Sequence, residues 1–150
     1  MNVLFLDVDG VLNWYDLRKS GQSVDVINEE CCKRVETLLH LFNMKIVVSS
    51  TWRHYPELMR MLTSRFGEFV IGTTSREERT SSYFGSDRYR GHLISHWMEN
   101  NNVDNYLILD DYVNDMEEHS GHYIHTSDLD GFTEEKYREA RTLCDNFKYE

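Results

Sequence analysis

Short apolar runs alternate with amphipathic stretches along the whole chain. Val3 to Leu6, Lys45 to Ser49, Phe69 to Ile71, Tyr106 to Leu109 and Tyr123 to His125 are apolar or β-branched and of strand length, the form taken by strands of a mainly parallel sheet. Between the first two runs, Asn28 can cap a helix. Glu29 and Glu30 favour its first turn, and Cys31, Val35, Leu38 and Phe42 recur at helical spacing. After the second run, Pro56 suits a first helical turn, Leu58, Leu62 and Phe66 form a stripe, and Gly67 can end it. A third helix is expected over His92 to Asn100, with Leu93, Ile94, Trp97 and Met98 inward. A last one starts at Thr133, with Glu134 and Glu135 behind the cap and Tyr137, Ala140, Cys144 and Phe147 buried. The alternation predicts an α/β three-layer sandwich around a five-stranded, mainly parallel sheet.

Composition narrows what such a sheet can serve. The 150 residues fit one domain, 1–150, long enough to bury a core without disulfides or structural metal. Cys31 and Cys32 are adjacent and Cys144 is remote, an odd count without metal-ligand spacing, read as reduced and mostly buried thiols. No run approaches the roughly 18 apolar residues of a membrane span, and the N-terminal run is too short and acidic for a signal peptide. A cytoplasmic location and no membrane partner are expected. The net charge of -10 repels polyanions at long range, so contact with nucleic acid needs a local patch.

Chemistry concentrates where the strands end. In open parallel sheets the ligand site lies beyond the carboxyl ends of the strands, and here those positions are polar. LFLDVDG delivers Asp7 and Asp9, KIVVSSTWR delivers Ser49, Ser50 and Thr51, and LILDDY delivers Asp110 and Asp111. Each motif has a plain alternative: Asp-x-Asp-Gly as a capped turn, Ser50 as a satisfied strand-end hydroxyl, Asp110 and Asp111 as the start of a loop, Trp52 as packing. Their conjunction at three strand ends favours a site. Carboxylates gathered from the first and fourth strands make a poor core but a good oxygen site for Mg²⁺, whose charge removes their repulsion.

With LFLDVDGVL, IVVSS and LILDD in this order, the chain resembles the haloacid dehalogenase-like phosphohydrolases, which have a Rossmann-like fold. SSTWR, LILDDY and LDGFTEEKYREARTL are most similar to small, capless members grouped with RNA-repair proteins. The resemblance implies a Mg²⁺-dependent phosphatase acting on a phosphate monoester through an aspartyl-phosphate. Asp7 would be the nucleophile and Asp9 the general acid and base. Asp7, Asp110 and the backbone carbonyl of Asp9 would hold the metal, with Asp111 as a direct or water-mediated ligand. Ser50, taken over Ser49, would donate to the phosphoryl group, and Gly10, Thr51 and Arg53 would contact substrate. The family's lysine is replaced in RYRGHLISHW by arginine, for which Arg90 is the nearest match and Arg88 and Arg53 the alternatives. Aspartate at position 9 favours ester hydrolysis over the ATPase and dehalogenase branches.

Substrate choice is left open by the sequence. Asn13 to Val26 is long enough only for a flap and Gly72 to Arg90 only for a loop, so the site is expected to be open. The loop mixes Arg76, Arg79, Arg88 and Arg90 with Tyr83, Phe84 and Tyr89, which could grip phosphates and stack bases, or could be solvated surface. The expected partner is a phosphorylated small molecule or a nucleic-acid end. A phosphatase of nucleic-acid ends and a non-catalytic phosphate-binding module are the alternative functions. A receiver-type regulatory domain is disfavoured, because Ser50 stands at the middle strand where receivers carry an aspartate.

Overall fold

A computed structural model describes residues 1–20, 26–75, 90–113 and 115–147. The first apolar run forms β1 (Asn2–Leu6), buried from Val3 onward. It is the middle strand of a five-stranded sheet ordered β3-β2-β1-β4-β5, with β2 at Met44–Val48, β3 at Val70–Thr73, β4 at Asn105–Asp110 and β5 at Tyr123–His125. Every pairing is parallel. Leu6 stands beside Val48 on one side and Leu109 on the other. That register brings the ends of three strands level, so that Asp7, Ser49 and Asp110 leave the sheet at one edge.

The helices are α1 (Tyr15–Lys19), α2 (Glu29–Leu41), α3 (Pro56–Phe66), α4 (Arg90–Glu99) and α5 (Glu134–Cys144). The expected caps form: Asn28 accepts from the Cys31 amide and Thr133 from the Lys136 amide, while Pro56 opens α3 and Gly67 closes it at φ 58°. Two boundaries move. Phe69 lies in a 3₁₀ turn, Gly67–Phe69, so β3 starts one residue later than its apolar run. The third helix begins at Arg90 rather than His92, which makes its leading arginine part of a rigid element. Neither α1 nor the 3₁₀ helices Thr51–His54 and Glu117–His122 has enough apolar periodicity to announce itself.

Alternation along the strands splits the core into two layers. Leu4, Leu6, Ile46, Val48, Leu107 and Leu109 face α2, α3 and α5, in one cluster with Val35, Leu38, Leu62, Phe66, Ala140 and Cys144. Val3, Phe5, Val47 and Ile108 face the other way, toward Ile94 of α4 and Met116. On that thinner side Trp97 packs edge-on against Phe5, with ring centroids 5.7 Å apart. Among the four inward residues expected of α4, Ile94 is fully buried, a burial that stabilises by about 2 kcal/mol, and Trp97 and Met98 pack partly exposed against the same cluster, whereas Leu93 is half-buried and joins neither core cluster. All three cysteines are unpaired and buried. No helix among the described residues is long and apolar enough to cross a membrane.

Candidate active site

Past Leu6 the backbone carries Asp7 on beside β4, the Asp7 amide donating to the Leu109 carbonyl at 3.0 Å, and turns sharply at Gly10. Gly10 has φ +83°, and a Cβ there would stand 2.3 Å from Oδ2 of Asp111. Only glycine meets both conditions. Thr126, just past β5, donates its hydroxyl to the Gly10 carbonyl at 2.6 Å, so the ends of β1, β4 and β5 are fastened together around the turn.

Three carboxylates meet there. Oxygens of Asp7, Asp110 and Asp111 lie within 4.8 Å of one another, with Asp7 3% and Asp110 0% exposed. Arg90, at the head of α4, is their cation. Its Nη1 donates to both oxygens of Asp110 at 2.8 and 2.9 Å and lies 3.3 Å from Oδ1 of Asp7. One guanidinium does not balance three acids. Burial first, then the charge of Asp7, hold the Asp110 carboxyl well above the usual carboxylate range despite Arg90, and the same two causes in the same order lift Asp111 to about 7. Tyr112 completes this corner, its amide donating to Asp110 at 2.9 Å and its ring lying under the Arg90 guanidinium.

These residues fit a divalent cation. The donors are all hard carboxylate oxygens, they converge from two strands, and they carry an excess of negative charge that a second positive centre would relieve. The glycine at position 10 leaves room for Asp111 to join them.

Asp9 is held differently. Asn13 Nδ2 donates to its Oδ1 at 2.9 Å and to the Val26 carbonyl at 2.8 Å, while Asn13 Oδ1 accepts from the Gly10 amide at 3.0 Å and from Arg18 at 2.9 Å. Arg18 in turn grips Asp128 with two parallel bonds of 2.6 and 2.8 Å, a geometry that fixes both partners. Asp9 thus ends a chain of contacts running to the turn after β5. Together Asp7, Asp9, Thr51, Arg90, Asp111, Tyr112 and Asp128 line a cleft of about 260 Å³.

On the β2 side, the Ser50 hydroxyl accepts from the Trp52 amide at 3.1 Å, capping the Thr51–His54 turn. Its own proton has no acceptor among the described residues, so it can still donate. The Ser49 hydroxyl is buried with no hydrogen-bond partner among the described residues. Arg53 is a correction: expected to contact substrate, or to stand in for the family's lysine, it is 1% exposed and turned to the backbone. Its guanidinium donates to the carbonyls of Ser49 and Ser50, just past β2, and of Ser75, just past β3, at 2.8 to 3.1 Å. Trp52 is likewise buried, in the core. Of the expected loop residues, Arg76, Arg79, Tyr83, Phe84, Arg88 and Tyr89 lie outside the described residues.

The family model for the HAD domain in Swiss Army Knife RNA repair proteins matches residues 3–137. The chain belongs to this family. No match was found among curated proteins or among solved structures. Within this HAD domain the acids at the ends of β1 and β4 meet Arg90, which stands at the head of the helix before β4. Asn13, Arg18, Tyr112, Thr126 and Asp128 join the site without having been singled out in the sequence. Their signals in the sequence were slight: Asn13 and Arg18 fall in the short flap, Tyr112 ends LILDDY, and Asp128 stands one residue before LDGFTEEKYREARTL.

Proposed function

We propose that this HAD domain is a phosphatase that hydrolyses a phosphate monoester through an aspartyl-phosphate on Asp7. One observation carries the reading: Asp7 stands at the end of the central strand, buried, between the guanidinium of Arg90 and a second pair of acids, and opens on a cleft. Mg²⁺, bound by Asp7, Asp110 and Asp111, would supply charge neutralisation for the incoming phosphate dianion. Asp7 attacks phosphorus with one carboxylate oxygen. Arg90 and the Ser50 hydroxyl offer donors to the equatorial oxygens, where charge accumulates. Asp9, oriented by Asn13, gives its proton to the leaving oxygen and later takes one from the water that cleaves the acyl phosphate.

The test is hydrolysis of an aryl phosphate in Mg²⁺. EDTA should abolish turnover, and Asp7→Asn should remove it while leaving the thermal midpoint of the metal-free protein unchanged or higher, since a repelling carboxylate is gone. Wild-type rates in Asp7→Asn would exclude it as nucleophile. The family description, with its RNA-repair proteins, favours a second, narrower reading in which the ester is a nucleic-acid end.

A further inference from the structure

Next to the catalytic cleft is a second concavity, of about 310 Å³, lined by Tyr15, Asp16, Ser127, Asp128 and Leu129. Asp128 lines both, so a molecule whose phosphate lies in the first can extend into the second. The two walls come from α1 and from the turn after β5, and they are joined. The Tyr15 amide donates to the Asp128 carbonyl at 2.8 Å, the Ser127–Gly131 turn closes with a 2.7 Å backbone bond, and the Arg18–Asp128 pair clamps them from behind. This groove is therefore built before any ligand arrives.

Its lining is unusual for a surface. Tyr15 is 52% and Leu129 83% exposed, two large apolar groups held facing one space beside a polar site. Lys19 stands over the Tyr15 ring, 5.7 Å from its centroid. The same concavity offers acceptors: the Asp16 carboxylate has no hydrogen-bond or ion-pair partner among the described residues, and the Ser127 hydroxyl accepts only from the Leu129 amide, at 3.1 Å. Tyr15 and Leu129 offer apolar surface to a planar ring in this concavity, and hydroxyl or amino groups on that ring would find Asp16 and Ser127 as acceptors.

We propose, resting on the phosphatase reading above, that this groove takes the nucleoside of a nucleotide monoester whose phosphate lies in the Asp7 cleft. A phosphotyrosine offers a ring but no donors for Asp16 and Ser127, and a bare sugar phosphate offers donors but no ring for Tyr15. The carboxylate of Asp16 disfavours a second phosphate in the groove, so the substrate is a monophosphate or the terminal nucleotide of a strand.

The experiment compares kcat/KM of the full chain in Mg²⁺ for 3′- and 5′-AMP, ribose 5-phosphate, a phosphotyrosine peptide and oligonucleotides phosphorylated at either end. At least one adenosine phosphate or phosphorylated oligonucleotide should exceed ribose 5-phosphate by roughly tenfold, the scale of one base–aromatic stack. Free adenosine should compete with ribose 5-phosphate. Tyr15→Ala and Leu129→Ser should each bring the ratio toward one, and Tyr15→Phe should keep it. A higher value for the oligonucleotides than for AMP would place the base at a strand end, and equal values would place it in a mononucleotide. Equal turnover of ribose 5-phosphate and the nucleotides, preference for the phosphotyrosine peptide, or a ratio untouched by Tyr15→Ala would overturn the assignment while leaving the phosphatase intact. Failure to hydrolyse any of the esters would overturn both.

Discussion

At the scale of single residues, the site depends on side chains that do no chemistry as much as on those that do. Arg90 is the sole cation within 4 Å of Asp7 and Asp110 among the described residues, so Arg90→Met strands two buried acids. It should destabilise the metal-free protein by about 3 kcal/mol in a denaturant titration, whereas Arg90→Lys should restore most of the stability but less of the activity, one ammonium replacing a fork. The Arg18–Asn13–Asp9 chain makes a more selective prediction. Arg18→Met loosens Asn13 and through it the acid, so hydrolysis of an alkyl phosphate, which needs a proton on its leaving oxygen, should fall about tenfold or more while an aryl phosphate loses little. Equal losses would reduce Arg18 to a structural clamp. The acids were legible in the sequence because carboxylates directly after apolar runs contradict burial unless something compensates them. Arg18 and Asp128 were not: 110 positions separate them, and no local pattern marks either. Arg53 shows the opposite failure, since spacing alone does not say whether a guanidinium turns to the cleft or back to the main chain.

At the scale of elements, α4 delivers Arg90 and its placement is set by one close approach. A Cβ on Gly91 would fall 1.6 Å from the Asp115 carbonyl oxygen, and Asp115 in turn accepts the His92 amide at 2.9 Å through its side chain. Helix and turn are interlocked at the residue next to Arg90. Asp115→Ala should cost about 1 kcal/mol as a lost cap and lower kcat more than it raises KM. Gly91→Ala should be worse on both counts, because the backbones must part. A Gly91→Ala protein with normal kcat would show that Arg90 finds its place independently of this contact. The strands and the capped helices α2, α3 and α5 followed from periodicity and caps. The start of α4 did not, because what fixes it is a turn more than twenty residues downstream, and α1 is too short to show a stripe.

Across the whole molecule, the buried thiols tie stability to alkaline pH. Burial pushes Cys32 and Cys144 up to about 12, and the Tyr123 hydroxyl is raised as well, also chiefly by burial. In the unfolded chain the thiols ionise near 9, so between about 9 and 12 the unfolded state has lost protons that the folded state retains, and stability must fall as pH rises. The denaturation midpoint should drop between pH 9 and 10.5, by on the order of 1 kcal/mol per pH unit for each thiol. Cys32→Ala with Cys144→Ala should flatten that slope while lowering stability at pH 7. In the native state at pH 8, thiol reagents should label neither residue. The order of the sheet has a consequence in time. β1 is central, pairing with β2 from Asn2 beside Met44 and with β4 from Asn2 beside Asn105. In a chain made from the N-terminus it is therefore finished long before its second neighbour exists. Until β4 emerges, one edge of an apolar strand stays unpaired beside acids whose cation, Arg90, has only just been made, a condition that invites mispairing and aggregation. Ribosome-bound chains arrested before Asn105 should accordingly be protease-sensitive and held by chaperones, and protection should appear in one step once the strand ending in Asp110 has cleared the exit tunnel.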